Sequence, residues 1–121
     1  MSITIKLSQD ILNKLLRNED FAVESVYVSL HSDAPGEDGA NEVGLSRPLV
    51  LFDSAIGGQA SNSEDLEWRN MPKVTVRYIG LWDRPLRGGR LLWSGKLTSA
   101  EQVNAGNTFL IPKGNLLIGL G

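Results

Sequence analysis

A single histidine, His31, is the only imidazole available for acid–base work, and there is no cysteine thiol at all. Nucleophilic hydrolysis would need His31 beside a serine and a carboxylate, yet no G-x-S-x-G elbow occurs anywhere in the chain. His31 closes the alternating run S-V-Y-V-S-L-H at the mouth of a loop, where a solvated side chain is expected. One histidine without thiols cannot build a typical zinc site. Four acidic residues, Asp33, Glu37, Asp38 and Glu42, crowd with Asn41 into D-A-P-G-E-D-G-A-N-E. Calcium takes such oxygen ligands, but their order does not follow the alternating pattern of an EF-hand, so the stretch reads as a solvated surface loop. The glycines of R-G-G-R, Arg87 to Arg90, follow a turn rather than open a helix, which removes the N-terminus a phosphate loop depends on. Glu64, Asp65 and Glu67 share one segment, but nothing in their spacing selects a glycosidase pair. The sequence therefore assigns no catalytic residue, no cofactor and no metal site, and the chain reads as a non-enzyme. Its charged loop (Asp33, Glu37, Asp38, Glu42) and a basic tip (Arg84, Arg87, Arg90) are suited instead to meeting a partner surface.

The elements that would carry these groups are mostly strands. Val74 to Leu97 forms the centre: Val74, Val76, Tyr78 and Trp82 alternate with Thr75 and Arg77, and Leu91, Trp93 and Leu97 alternate with Arg90, Ser94 and Lys96. A period of two with β-branched and aromatic residues marks a half-buried sheet. Between the two runs, D-R-P-L-R-G-G supplies the Pro and Gly of a reversing chain. Ser25 to His31 alternates likewise, with Val26, Val28 and Leu30 inward and Tyr27, Ser29 and His31 outward. Further short strands are expected at Pro48 to Phe52, Leu66 to Trp68, Thr108 to Ile111 and Leu116 to Leu120, separated by turn clusters such as N-A-G-N. The predicted core comprises Val26, Val28, Leu30, Val76, Tyr78, Trp82, Leu91, Trp93, Phe109 and Ile111.

One short helix precedes the strands. Ser8 reads as its N-cap, with Asp10 in the first turn and Asn18 as the stop. Ile11, Leu12, Leu15 and Leu16 lie on one stripe, so this helix must dock, either on its own sheet or on a neighbouring subunit. Such a short helix is marginal alone in water.

About eight short strands at regular spacing predict an all-β chain, a β-sandwich or jelly-roll-like domain with one short N-terminal helix. The 121 residues suit a single domain, 1–121, with residues 1–20 as an N-terminal arm and helix and 32–44 as a long acidic surface loop. Thirteen glycines and five prolines fit a chain with many turns. A net charge of −2 gives no basic footprint for nucleic acid. No apolar run approaches the roughly 20 residues that span a bilayer, and no signal peptide is visible.

Several segments, taken in order, resemble a family of small tailed-phage virion proteins usually labelled phage tail fibre protein. They are N-K-L-L (13–16), V-Y-V-S-L-H-S-D-A-P-G (26–36), G-A-N-E-V (39–43), G-Q-A-S-N (58–62), I-G-L-W-D (79–83), G-R-L-L-W-S-G (89–95), V-N-A-G-N-T-F (103–109) and I-P-K-G (111–114). Leu45-Ser46-Arg47-Pro48 departs from the pattern, standing where similar proteins carry a Gly-rich Y-x-R-Q stretch. The resemblance implies a structural protein located in the virion, with no catalytic residues. A fibre needs length from repeats or coiled coils, which 121 residues in one compact unit do not supply. The expectation is therefore docking on the particle surface as a capsid decoration or cement protein, through the loops and the N-terminal arm. The alternative is a tail-associated or fibre-adaptor protein. A third reading is a glycan-binding β-sandwich presenting Tyr27 and Trp68. The expected partners are other virion proteins, major capsid or tail, together with further copies of the chain, and neither nucleic acid nor membrane.

Overall fold

The computed structural model describes residues 1–44, 46–86 and 88–120. It is an all-β sandwich with one short N-terminal helix. The elements run β1 (Ser2–Ile3), α1 (Ile5–Arg17), β2 (Val26–His31), β3 (Glu42–Val43), β4 (Leu49–Val50), β5 (Gln59–Ser61), β6 (Leu66–Trp68), β7 (Val74–Trp82), β8 (Leu91–Val103), β9 (Phe109–Ile111) and β10 (Leu117–Gly119). A six-stranded sheet has the order β1-β8-β7-β2-β3, with β4 also on β2. Two small antiparallel ladders, β10–β5 and β6–β9, complete the strand set among the described residues.

The β7–β8 hairpin is the spine of the large sheet, as its alternation predicts. Its register slips twice, between Val76 and Tyr78 and between Leu81 and Trp82. At the first slip, four residues of β8 (97–100) oppose Arg77 alone, because Val76 faces Glu101 and Tyr78 faces Lys96. At the second, Leu92 is the extra residue between Trp93 and Leu91. A bulge of this kind turns the following side chains to the other face.

The main core packs Val28, Leu30, Ile79 and Leu81 from one face of the sheet with Val76 and with Trp68, Phe109, Ile111 and Ile118 from the smaller ladders. Leu91 and Trp82 are also buried, while Val26, Tyr78 and Trp93 are half-buried. Alternation along β2 puts Ser29 and His31 on the opposite face, beside Gly80 and Trp82 of β7. That second face is not solvated. Ser29 and His31 are both at 0 % exposure, which corrects the expectation of outward, solvated side chains. The cover comes from the chain's own 32–44 loop, whose Gly39 lies against the Trp82 ring.

The helix begins four residues earlier than its sequence suggests. Thr4 is the N-cap: its hydroxyl accepts from Leu7 N at 3.3 Å and donates to the Leu91 carbonyl at 2.9 Å. Ser8, the expected cap, lies inside the helix and donates back to the Thr4 carbonyl. Asn18 ends the helix in the left-handed conformation, as expected. Leu7 is the helix's buried anchor, with Ile11 partly buried beside it. Leu12, Leu15 and Leu16 stay exposed, so most of the expected docking stripe faces away from the sheet.

Candidate functional site

Of the contact-suited residues, Glu42 and Arg84 meet at one buried guanidinium, Arg47, which is 6 % exposed. Its Nε and Nη2 donate to the two carboxylate oxygens of Glu42 at 2.9 and 2.7 Å, a planar fork meeting a planar acceptor. Its Nη1 donates to the carbonyls of Arg84, Leu86 and Gly88 at 3.2, 2.9 and 3.1 Å. The guanidinium also lies 3.8 Å from the centre of the Trp82 ring, in cation–π contact. A single side chain thus ties the end of the acidic loop to the tip of the central hairpin. Lysine has neither the fork nor the donor count to do this.

Beneath Arg47 runs a directed chain of hydrogen bonds. The Ala40 carbonyl can only accept, so His31 Nδ1 carries the proton and donates to it at 2.7 Å. Nε2 is then an acceptor for the Ser29 hydroxyl at 2.6 Å, and that hydroxyl accepts from Trp82 Nε1 at 2.7 Å. With the imidazole neutral every polar atom of the chain has a partner, and the Ser29 hydroxyl also lies 3.4 Å from the Gly80 carbonyl, a second acceptor. Burial pushes the His31 pKa below its usual value and nearby Arg47 adds to this, outweighing the Ala40 hydrogen bond and the Glu42 charge. The serine–histidine pair superficially suits nucleophilic chemistry, but it is sealed from solvent and its hydroxyl is already committed on both sides.

The loop above is held by its own backbone. Gly39 N and Ala40 N both donate to the Pro35 carbonyl, Ser32 N donates to the Asn41 carbonyl, and the Asn41 amide donates to the Ala34 carbonyl. A Cβ on Gly39, whose φ is +80°, would stand 2.2 Å from the Trp82 ring. Only glycine fits there. At Gly80 a Cβ would meet Ser29 Oγ at 2.8 Å and His31 Nε2 at 3.1 Å, so that glycine makes room for the pair.

The charged residues singled out by sequence fall into two groups. Asp33, Glu37, Asp38 and Arg84 are exposed on the loop and the tip. Glu37 also caps the helix, accepting from Ile5 N at 3.0 Å. Glu42 is engaged by Arg47, as above. Arg90 is engaged too: its Nε donates to Asp83 at 3.2 Å, its Nη1 to Asp10 at 2.6 Å, and it lies over the Phe21 ring. Burial raises the Asp83 pKa, but hydrogen bonds from the Arg90 backbone and side chain outweigh it and hold the carboxyl below its usual value. Arg87 lies outside the described residues. Sequence reasoning missed Arg47, Gly39 and the Ser29–His31–Trp82 chain. Only the glycine had a local signal, in the P-G-E-D-G run.

Trp68, offered as a glycan platform, is 3 % exposed and stacks edge-on against Phe109 with ring centres 5.7 Å apart. It is a core residue, not a surface for sugar. A separate cleft of about 440 Å³ opens between β8 and β9, rimmed by Thr98, Ser99, Gln102, Asn107 and Asn115. Its one aromatic, Phe109, is 8 % exposed.

The family described as Podophage GP4 fiber I protein gp80 matches residues 2–119 of this 121-residue chain. The chain belongs to this family. No curated protein matches it. Membership in the gp80 fibre family makes the chain a structural fibre protein of a bacteriophage, located in the virion among other virion proteins. This bears out the resemblance drawn from the sequence segments. No helix among the described residues is long and apolar enough to cross a membrane.

Proposed function

We propose that this chain is a tail-associated fibre adaptor, a non-enzymatic structural protein that docks on neighbouring virion proteins. Docking runs through the platform formed by the 32–44 loop and the described residues of the hairpin tip, 83–86 and 88–90. The observation that carries this reading is the Arg47 clamp, which holds Glu42 and the carbonyls of the tip together. A loop fixed in advance loses little conformational freedom on binding, so its exposed Asp33, Asp38 and Arg84 contribute to docking at low entropic cost. Fibre-family membership favours the tail over the capsid-decoration or cement role, for which nothing specific speaks.

The test is the stoichiometry of the protein in purified virions against the major capsid protein, together with incorporation of the variant Asp33→Lys/Asp38→Lys/Arg84→Glu. A copy number far below that of the shell, and loss of the correctly folded variant from particles, are the expected results. A stoichiometry matching the capsomers would return the chain to the capsid surface. Normal incorporation of the variant would remove the platform from the interface.

A further inference from the structure

The central hairpin gives up its own ladder beside the cleft between β8 and β9. Residues 97–100 leave the register opposite Arg77, and Thr98 and Ser99, inside this bulge, line the cleft. A bulge re-aims side chains at the cost of ladder hydrogen bonds. The remaining lining comes largely from residues 107–112, 115 and 116, and buried groups pin that wall at both ends. Met71 N donates to the Asn107 carbonyl at 2.9 Å, and Gly106 N donates to the Met71 carbonyl at 2.8 Å. The Asn62 side chain, fully buried, donates to the Pro112 carbonyl at 3.1 Å and accepts from Leu116 N at 2.9 Å.

These walls present hydrogen-bonding capacity almost without charge. Thr98, Ser99, Gln102, Asn107, Thr108 and Asn115 are all exposed at the cleft, and no side-chain hydrogen bond among the described residues engages any of them. Their amides and hydroxyls both donate and accept. Among the described residues Glu101 is the one charged group of the lining, while Ile79, Leu97, Ile111 and Leu116 supply apolar surface. The volume of about 440 Å³ lies within the roughly 300–1,000 Å³ of small-molecule sites. Three ligand classes fit this lining poorly. A phosphate or nucleic acid would meet a carboxylate and no cation. A wholly apolar ligand would strip water from six polar side chains without replacing their bonds. An added β-strand needs an unbroken edge of backbone groups, and the bulge interrupts that edge between Lys96 and Glu101.

We infer that this cleft is a binding site for a neutral saccharide. A sugar hydroxyl donates and accepts at once, as the amides and hydroxyls of the lining do, so the two sets pair without any net charge. The Glu101 carboxylate accepts from sugar hydroxyls, and the C–H faces of the ring rest on the apolar lining. Because Met71 and Asn62 hold one wall in advance, little backbone order is lost on binding. Phe109, at 8 % exposure, offers little ring for stacking, so a single sugar is held weakly, with a dissociation constant on the order of millimolar. The cleft shares no lining residue with the loop-and-tip platform, so this site and the docking role stand or fall separately.

Heteronuclear NMR of the isotope-labelled full chain, titrated separately with glucose, galactose, mannose, rhamnose and N-acetylglucosamine, reads binding residue by residue. The expected result is a saturable shift with at least one of these sugars, confined to residues 97–103 and 107–116 and leaving the 32–44 loop unmoved. Gln102→Ala/Asn107→Ala removes two exposed side chains of the lining, so it should weaken that binding by about tenfold or more with an unchanged circular dichroism spectrum. Inorganic phosphate and an acetylated peptide of alternating valine and threonine should leave the cleft unshifted. The inference is overturned if none of the five sugars gives a saturable shift, or if the shifts lie outside the cleft. Undiminished binding in the double variant overturns it equally. Cleft shifts from the peptide or from phosphate, with none from the sugars, would reassign the site to a strand or an anion.

Discussion

Ser29 Oγ lies 2.6 Å from His31 Nε2 in a pocket closed to solvent, where burial favours the neutral imidazole. The folded-state pKa of His31 lies below its unfolded value of 6.5. The unfolded chain therefore binds the proton first, and stability rises with pH across this window. The contribution is fully present above about pH 6.5 and is lost as pH falls through the lower folded-state value. Thermal melts between pH 8 and pH 5 should show the midpoint falling below pH 6.5 in the wild type. In His31→Gln, which cannot titrate, that part of the slope should disappear. Identical slopes in both proteins would place the acid sensitivity elsewhere.

Arg47 is the second test of the platform. Its removal leaves the carboxylate of Glu42 and three tip carbonyls without their donor. Glu42 is partly solvated, which moderates the penalty below that of a fully buried broken pair. Arg47→Met is expected to cost about 2–4 kcal/mol in urea denaturation. Arg47→Lys should recover less than half of that, because an ammonium cannot bridge Glu42 and the tip while lying flat on Trp82. Hydrogen exchange should quicken at residues 33–41 in both variants and leave β2 protected.

These two sites show where sequence reasoning stops. Alternation in S-V-Y-V-S-L-H located the strand and the inward Val28 and Leu30, because period two is a local property. It could not show that the other face is covered, since the cover is a loop folding back over Trp82 from up to ten residues beyond His31. The helix start was misplaced for a related reason. Ile3 and Ile5 look like one extended arm, yet the Thr4 hydroxyl bonds to Leu91, 87 residues away, and fixes the cap between them. Charge pattern marked the acidic loop and the basic tip as surface features. Which of those charges would be consumed internally depended on how the chain folds around them: Arg47, five residues on, takes Glu42, and Asp10, 80 residues away, takes Arg90.

Gly39 and Gly36 share a loop and a left-handed backbone but not an environment. A methyl group on Gly39 would stand 2.2 Å from the Trp82 ring, while one on Gly36 would meet nothing within 4 Å. Both substitutions to alanine carry the backbone penalty of about 1 kcal/mol. Gly39→Ala carries the clash as well and should be destabilising by a further 1–3 kcal/mol, roughly the cost of overpacking. The difference between the two midpoints, measured in one denaturant series, isolates how tightly the loop is pressed on the tryptophan. Equal losses would mean that the loop lifts away easily.

The two deeply buried tryptophans should answer differently to the same substitution. Trp82 Nε1 donates to Ser29 Oγ at 2.7 Å, whereas Trp68 Nε1 is buried with no partner among the described residues. In Trp82→Phe the serine loses its donor, the imidazole chain is left incomplete, and Arg47 sits over a weaker ring. In Trp68→Phe the lost volume is costly, but an unsatisfied indole N–H disappears with it, offsetting part of the cavity penalty. Trp82→Phe should therefore be the more damaging, by about 1 kcal/mol or more. Denaturation midpoints of the two variants check this, and a larger loss at Trp68 would show that its indole nitrogen is satisfied in solution.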